Sequence, residues 1–115
     1  MRPLIAAALF VTLAVGCGPP SRDNAVETTA RKICKRAEEC DTLDRDYGSY
    51  GECRAEWEDN FYDGWSEAAC GDGQIDPKQL DECHTQIETY DCDSNGWQAV
   101  GILLGSCSAN QVCSN

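Results

Sequence analysis

Nine cysteines in 115 residues constrain this chain more than any other feature. In so short a chain that content points to a cross-linked scaffold. Eight of them, Cys34, Cys40, Cys53, Cys70, Cys83, Cys92, Cys107 and Cys113, are separated by 5, 12, 16, 12, 8, 14 and 5 residues. None of these gaps is the two-residue spacing of a zinc finger, so disulfides are expected in place of a metal cluster. Each native bridge should stabilise by roughly 2–4 kcal/mol, which is large for a domain this small. Spacing alone leaves most pairings open. Cys34 and Cys40 fall on one helix, roughly 9 Å apart along its axis and on different faces, and so should not bond to each other. A hairpin of the first two helices would bring Cys40, at the end of one, to Cys53, in the first turns of the next. Cys40–Cys53 is the one local pairing expected.

The ninth cysteine, Cys17, has a different setting. Met1 and Arg2 precede an uncharged, mostly apolar run at residues 4–15 (LIAAALFVTLAV). As a helix this run spans about 18 Å, short of the roughly 30 Å of a bilayer core, and it reads as the apolar region of an export signal. Ala14-Val15-Gly16-Cys17 resembles the lipobox of bacterial lipoproteins, with Ala14 where that motif usually has Leu. The resemblance implies a signal peptide at 1–16, a lipidated cysteine at Cys17 and a tether over 17–25, ahead of a domain at 26–115. It also implies an oxidising compartment, where thiols pair. With Cys17 acylated, an even set of eight cysteines remains. Gly18, and not Asp, follows Cys17; by resemblance to the enterobacterial sorting rule this favours the outer membrane over the inner.

The domain reads as all-α, with about four short helices. Val26, Ala30, Ile33, Cys34, Ala37 and Cys40 form one amphipathic stripe. A second helix should start at Ser49, where Ser49 and Glu52 fit a capping box, and carry Tyr50, Cys53, Trp57, Phe61 and Trp65 along one face. That aromatic stripe reads as core packing in preference to a ligand platform. Asp76 followed by Pro77 marks the start of a third helix, with Leu80, Cys83, His84 and Ile87 inward and its end by Tyr90. A fourth is expected from Trp97 to about Leu104, capped by Ser94 or Asn95. No period-2 strand pattern is present.

The C-x5-C opening, Tyr47-x-Ser49-x3-Cys53, the Ile75-Asp76-x3-Leu80-x2-Cys83-x3-Ile87-x4-Cys92 segment after Cys70 and the terminal C-x5-C together cover residues 28–113. This framework is similar to that of the small eight-cysteine lipoproteins of myxobacteria and related bacteria. The resemblance implies a disulfide-rich fold and an envelope location. It brings no established activity and no catalytic residue.

The chemistry-bearing residues point the same way. There is one histidine, His84, and no second to share a metal; it reads as a helix-face residue. There is no G-x-S-x-G elbow and no phosphate-binding loop, so no enzyme and no cofactor are expected. Asp91, Asp93, Asn95 and Gly96 match the opening positions of a calcium-binding loop, but the position that needs a bidentate Glu is Ile102. A helix-capping turn is the favoured reading, and weak calcium or cation binding the alternative function. The net charge of −11 excludes nucleic acid as a partner. Residues 38–91 carry −14, whereas residues 22–36 carry +3 through Arg22, Arg31, Lys32, Lys35 and Arg36. Simple solubility with ordinary helix-face charge is the favoured reading of this asymmetry, and the functional alternative is a basic end near an anionic membrane with an acidic body open to a cationic protein or another envelope partner.

Overall fold

Side-chain caps set where the helices begin. In the computed structural model, which describes residues 20–93 and 97–115 (for residues 97–100 the backbone only), Ser21 accepts the N–H of Asn24 and starts α1 (Arg22–Glu39). After α2 (Leu43–Asp46), Ser49 accepts the N–H of Glu52 and starts α3 (Tyr50–Gly64). Ser66 caps the single turn α4 (Glu67–Cys70). Asp76 accepts from Lys78 and Gln79, with Pro77 in the first position of α5 (Pro77–Thr89). α6 (Trp97–Leu104) and the turn α7 (Ala109–Val112) complete the chain. The described residues hold seven helices and no strand, so the fold is a small all-α, disulfide-rich domain.

Three differences from the sequence reading concern the ends and the connections. α1 begins at Arg22, so residues 22–25 of the expected tether are its first turn, and Ala25 is fully buried. The turns α2, α4 and α7 occupy stretches read as loop. The expected caps of α6, Ser94 and Asn95, lie outside the described residues, although α6 itself spans the expected range.

α1 packs along α3 and α5, and α5 in turn meets α6 and α7. The core between them is Val26, Ile33, Phe61, Trp65, Ile75, Leu80, Ile87, Ile102 and Val112, with buried cysteines among them. Four disulfides cross it: Cys34–Cys53, Cys40–Cys92, Cys70–Cys113 and Cys83–Cys107. Cys34–Cys53 ties α1 to α3, and Cys83–Cys107 ties α5 to the turn after α6. The expected Cys40–Cys53 pair does not form. Cys40 stands six residues after Cys34, roughly 120° away round the helix axis, and so cannot share the face that meets α3. It reaches the chain leaving α5, at Cys92. Cys34 and Cys40 are not bonded to each other, as their spacing required. The C-terminal turn is also held by backbone: Asp76 N–H donates to Val112 O at 2.8 Å and Asn115 N–H to Gln74 O at 3.2 Å.

Candidate functional site

The aromatic stripe of α3 builds both core and surface. Residues four apart stack along a helix face, and here Trp57, Phe61 and Trp65 follow that register. The Phe61 and Trp65 rings lie 4.5 Å apart between centroids, and Trp57 and Phe61 5.8 Å apart. Trp65 is 1% exposed, and its Nε1 donates to Cys107 O at 2.9 Å. Trp57 is half-buried, and its Nε1 donates to the Tyr47 hydroxyl at 2.9 Å. Burial pushes the Tyr47 phenol above its usual range, against the lowering effect of that hydrogen bond.

The outer edges of these rings line a groove of about 450 Å³. Trp57, Phe61, Gly64 and Trp65 contribute from α3, and Leu103 and Leu104 from α6. Asn60 and Ser108 are its polar neighbours, and no titratable side chain lines it among the described residues. Leu104 is 78% exposed. The arrangement can hold an apolar chain; among the described residues it offers no acid or base, and so none to activate the Ser108 hydroxyl. The signal for it in the sequence was α6 itself, whose residues WQAVGILL are apolar nearly all round and so cannot all face one core.

The N-terminal end of the domain is tied to the end of α3, which also contributes to this groove. The Arg22 guanidinium donates to Trp65 O at 2.7 Å and to Tyr62 O at 3.0 Å, and lies over the Tyr62 ring at 4.9 Å. These carbonyls are at the C-terminal end of α3, where a cation is favoured. The Arg22 N–H donates to Asp72 Oδ1 at 3.0 Å, and the Tyr62 hydroxyl donates to Asp23 Oδ1 at 2.8 Å. That bond to a carboxylate raises the Tyr62 phenol above its ordinary value.

Of the residues singled out as a cation loop, Asp91 and Asp93 form a turn. Asp93 N–H donates to Asp91 Oδ1 at 3.0 Å, and Cys92 between them is bridged to Cys40. Asn95 and Gly96 lie outside the described residues. Ile102 is 9% exposed and packs in the core, on a helix of its own. Among the described residues no three His, Cys, Asp or Glu side chains gather at metal-binding distance.

His84 is on the inner face of α5, as its spacing indicated, and is 8% exposed. Its Nε2 is 2.9 Å from Thr29 Oγ1, whose hydroxyl also reaches Ala25 O at 2.6 Å. One hydroxyl carries one proton. With that proton given to Ala25, the imidazole is the Nε2–H tautomer and donates to Thr29. Burial, helped by the Lys32 ammonium, pushes the His84 pKa down to about 4, against the opposite effect of Glu88 and Asp81. His84 is therefore a neutral interior hydrogen-bond donor at pH 7.

A model of the family of unknown function DUF6184 matches residues 34–115. The chain belongs to that family. No curated protein and no solved structure matches it. The DUF6184 match begins at Cys34 and runs past Cys113, so it takes in all four disulfides, the groove and His84.

The basic residues of α1, most of which precede the DUF6184 match, are not one patch, because Arg22 stands apart from the rest. Arg22 and Lys32 stand about 15 Å apart along the helix. Arg36 donates to Tyr90 O at 2.6 Å and lies over the Tyr90 ring, and Lys32 pairs with Glu88 at 3.0 Å. Much of the expected basic end is therefore spent on joining α1 to α3 and α5. The sequence run was visible; these uses of it, across 40 to 56 residues of chain, were not.

Proposed function

We propose that this chain is a lipid-anchored protein of the cell envelope, attached through Cys17, whose DUF6184 domain acts as a non-enzymatic interaction or structural module. The observation that carries the reading is the pairing of the thiols. The eight cysteines among the described residues bond to one another, which leaves Cys17 with no cysteine of this chain as a partner. A cysteine left over from a closed disulfide set, behind an apolar run and small residues, is what a lipid-attachment site requires. Four disulfides suit an oxidising compartment, and the similarity to eight-cysteine myxobacterial lipoproteins agrees with that setting. With α1 starting at Arg22, at most about 17 Å of extended chain separates Cys17 from the folded domain, so the module stands close to its membrane. Gly18 after Cys17 favours the outer membrane. A non-enzymatic role is supported by the sequestered, neutral His84 and by a groove that, among the described residues, is lined without acid or base.

Incorporation of labelled fatty acid into the full chain and its Cys17→Ser variant tests the anchor. The expected result is label and membrane retention in the first and neither label nor acyl anchor in the second. Equal labelling of both would overturn the reading.

A further inference from the structure

Resting on the lipidation of Cys17 put forward above, we infer that the apolar groove lined by α3 and α6 seats one acyl chain carried by Cys17, folded back against the domain.

Reach comes first. The α3 segment that lines the groove with Phe61, Gly64 and Trp65 is the segment whose carbonyls hold the Arg22 guanidinium at 2.7 and 3.0 Å. Cys17 is five residues ahead of Arg22, a distance of at most about 17 Å. The attachment point thus lies within about 17 Å of Arg22, which is bonded to the backbone of a residue that lines the groove.

The chemistry of the lining selects the occupant. At about 450 Å³ the groove is within the roughly 300–1,000 Å³ of small-ligand sites, and it is walled by rings and leucines. No Lys, Arg or His lines it among the described residues, so it has no cation to pair with the carboxylate of a free fatty acid. An acyl chain bound as an ester or amide carries no charge and needs no such partner. Laying the groove flat on the leaflet is opposed by charge. α3 carries Glu52, Glu56, Glu58, Asp59 and Asp63 against Arg54 alone, and an anionic surface repels it. A single uncharged chain entering the groove meets no such penalty. The exposed Leu104 would then be covered.

The test uses cells that express the full chain and are fed a long-chain fatty acid bearing a diazirine. The lipidated protein is irradiated in dilute detergent, reduced and mapped by mass spectrometry. Label on Cys17 with cross-links to residues 57–65 and 103–108 of the same polypeptide is expected. Gly64→Phe fills the groove, since an added Cβ there meets nothing within 4 Å. It should lower those cross-links by about ten-fold, the loss expected when about two methylenes leave an apolar seat. Leu104→Asp, at a position 78% exposed, should lower them too without touching the core. Label on Cys17 with cross-links only to detergent, to other faces or to a second, isotopically distinct copy overturns the inference and leaves the anchor standing. A chain that takes up no label at all refutes the anchor itself, and this inference with it.

Discussion

Acidification should destabilise the domain through His84. The folded imidazole has its pKa pushed down to about 4, from 6.5 in the unfolded chain. Between those values the unfolded state binds a proton that the folded state refuses, so stability falls as pH falls. The contribution of neutral His84 is complete above about pH 6.5 and is lost progressively down to about pH 4. At 1.36 kcal/mol per pH unit the full difference is about 3.4 kcal/mol. The Lys32 ammonium that adds to the shift is 30% exposed, so water screens its share, and about 2 kcal/mol is the working figure. His84→Gln keeps a donor for Thr29 Oγ1 and cannot titrate. Urea unfolding of both proteins, disulfides intact, at pH 7 and pH 4 isolates the difference from the carboxylates they share. The wild type should lose about 2 kcal/mol more than the variant. Equal losses, or a His84 ring that titrates at 6 or above by NMR, would refute the reasoning.

Other perturbations have equally direct readouts. Asp76→Ala removes the side-chain acceptor of the Lys78 and Gln79 N–H groups and should cost about 1 kcal/mol in chemical denaturation; no change would mean that Pro77 alone sets the start of α5. Cys92 is exposed whereas Cys34, Cys53 and Cys83 are fully buried, so mild reductant and alkylation should label Cys40 and Cys92 first. Full reduction should abolish cooperative unfolding, because four bridges at roughly 2–4 kcal/mol each exceed what a core this small supplies. Calorimetry in 0.15 M salt should find no saturable calcium site tighter than about 1 mM, since Ile102 is packed in the core and a diffuse acidic field is screened within about 8 Å. A stoichiometric sub-millimolar site lost in Asp93→Ala would contradict this.

Helix starts were legible where a cap and a periodic face coincide. Ser49 with the Cys53–Trp65 stripe, and Asp76-Pro77 with Leu80 to Ile87, place α3 and α5 to the residue. The start of α1 was missed. Ser21 caps it, but Arg22, Asp23 and Asn24 add nothing to an apolar period, and Arg22 and Asp23 are also tied to Tyr62, Trp65 and Asp72, some 40 to 50 residues away. The turns α4 and α7 are four residues each, too short for periodicity, and are pinned by Cys70–Cys113. The bond between Cys34 and Cys53 depends on which face of α1 meets α3, a tertiary fact that spacing does not carry. The Asp91–Asp93 turn was readable from local chemistry, because an Asp side chain bonds its own backbone two residues on. The groove needed two helices brought together before it existed, although the all-round apolar character of α6 was its trace.

The most direct measurement is a non-reducing peptide map, with intact mass, of the protein isolated from membranes. The account predicts Cys34–Cys53, Cys40–Cys92, Cys70–Cys113 and Cys83–Cys107, no free thiol, and an acylated peptide that begins at Cys17. A bridge to Cys17, or two free thiols among the eight, would contradict it.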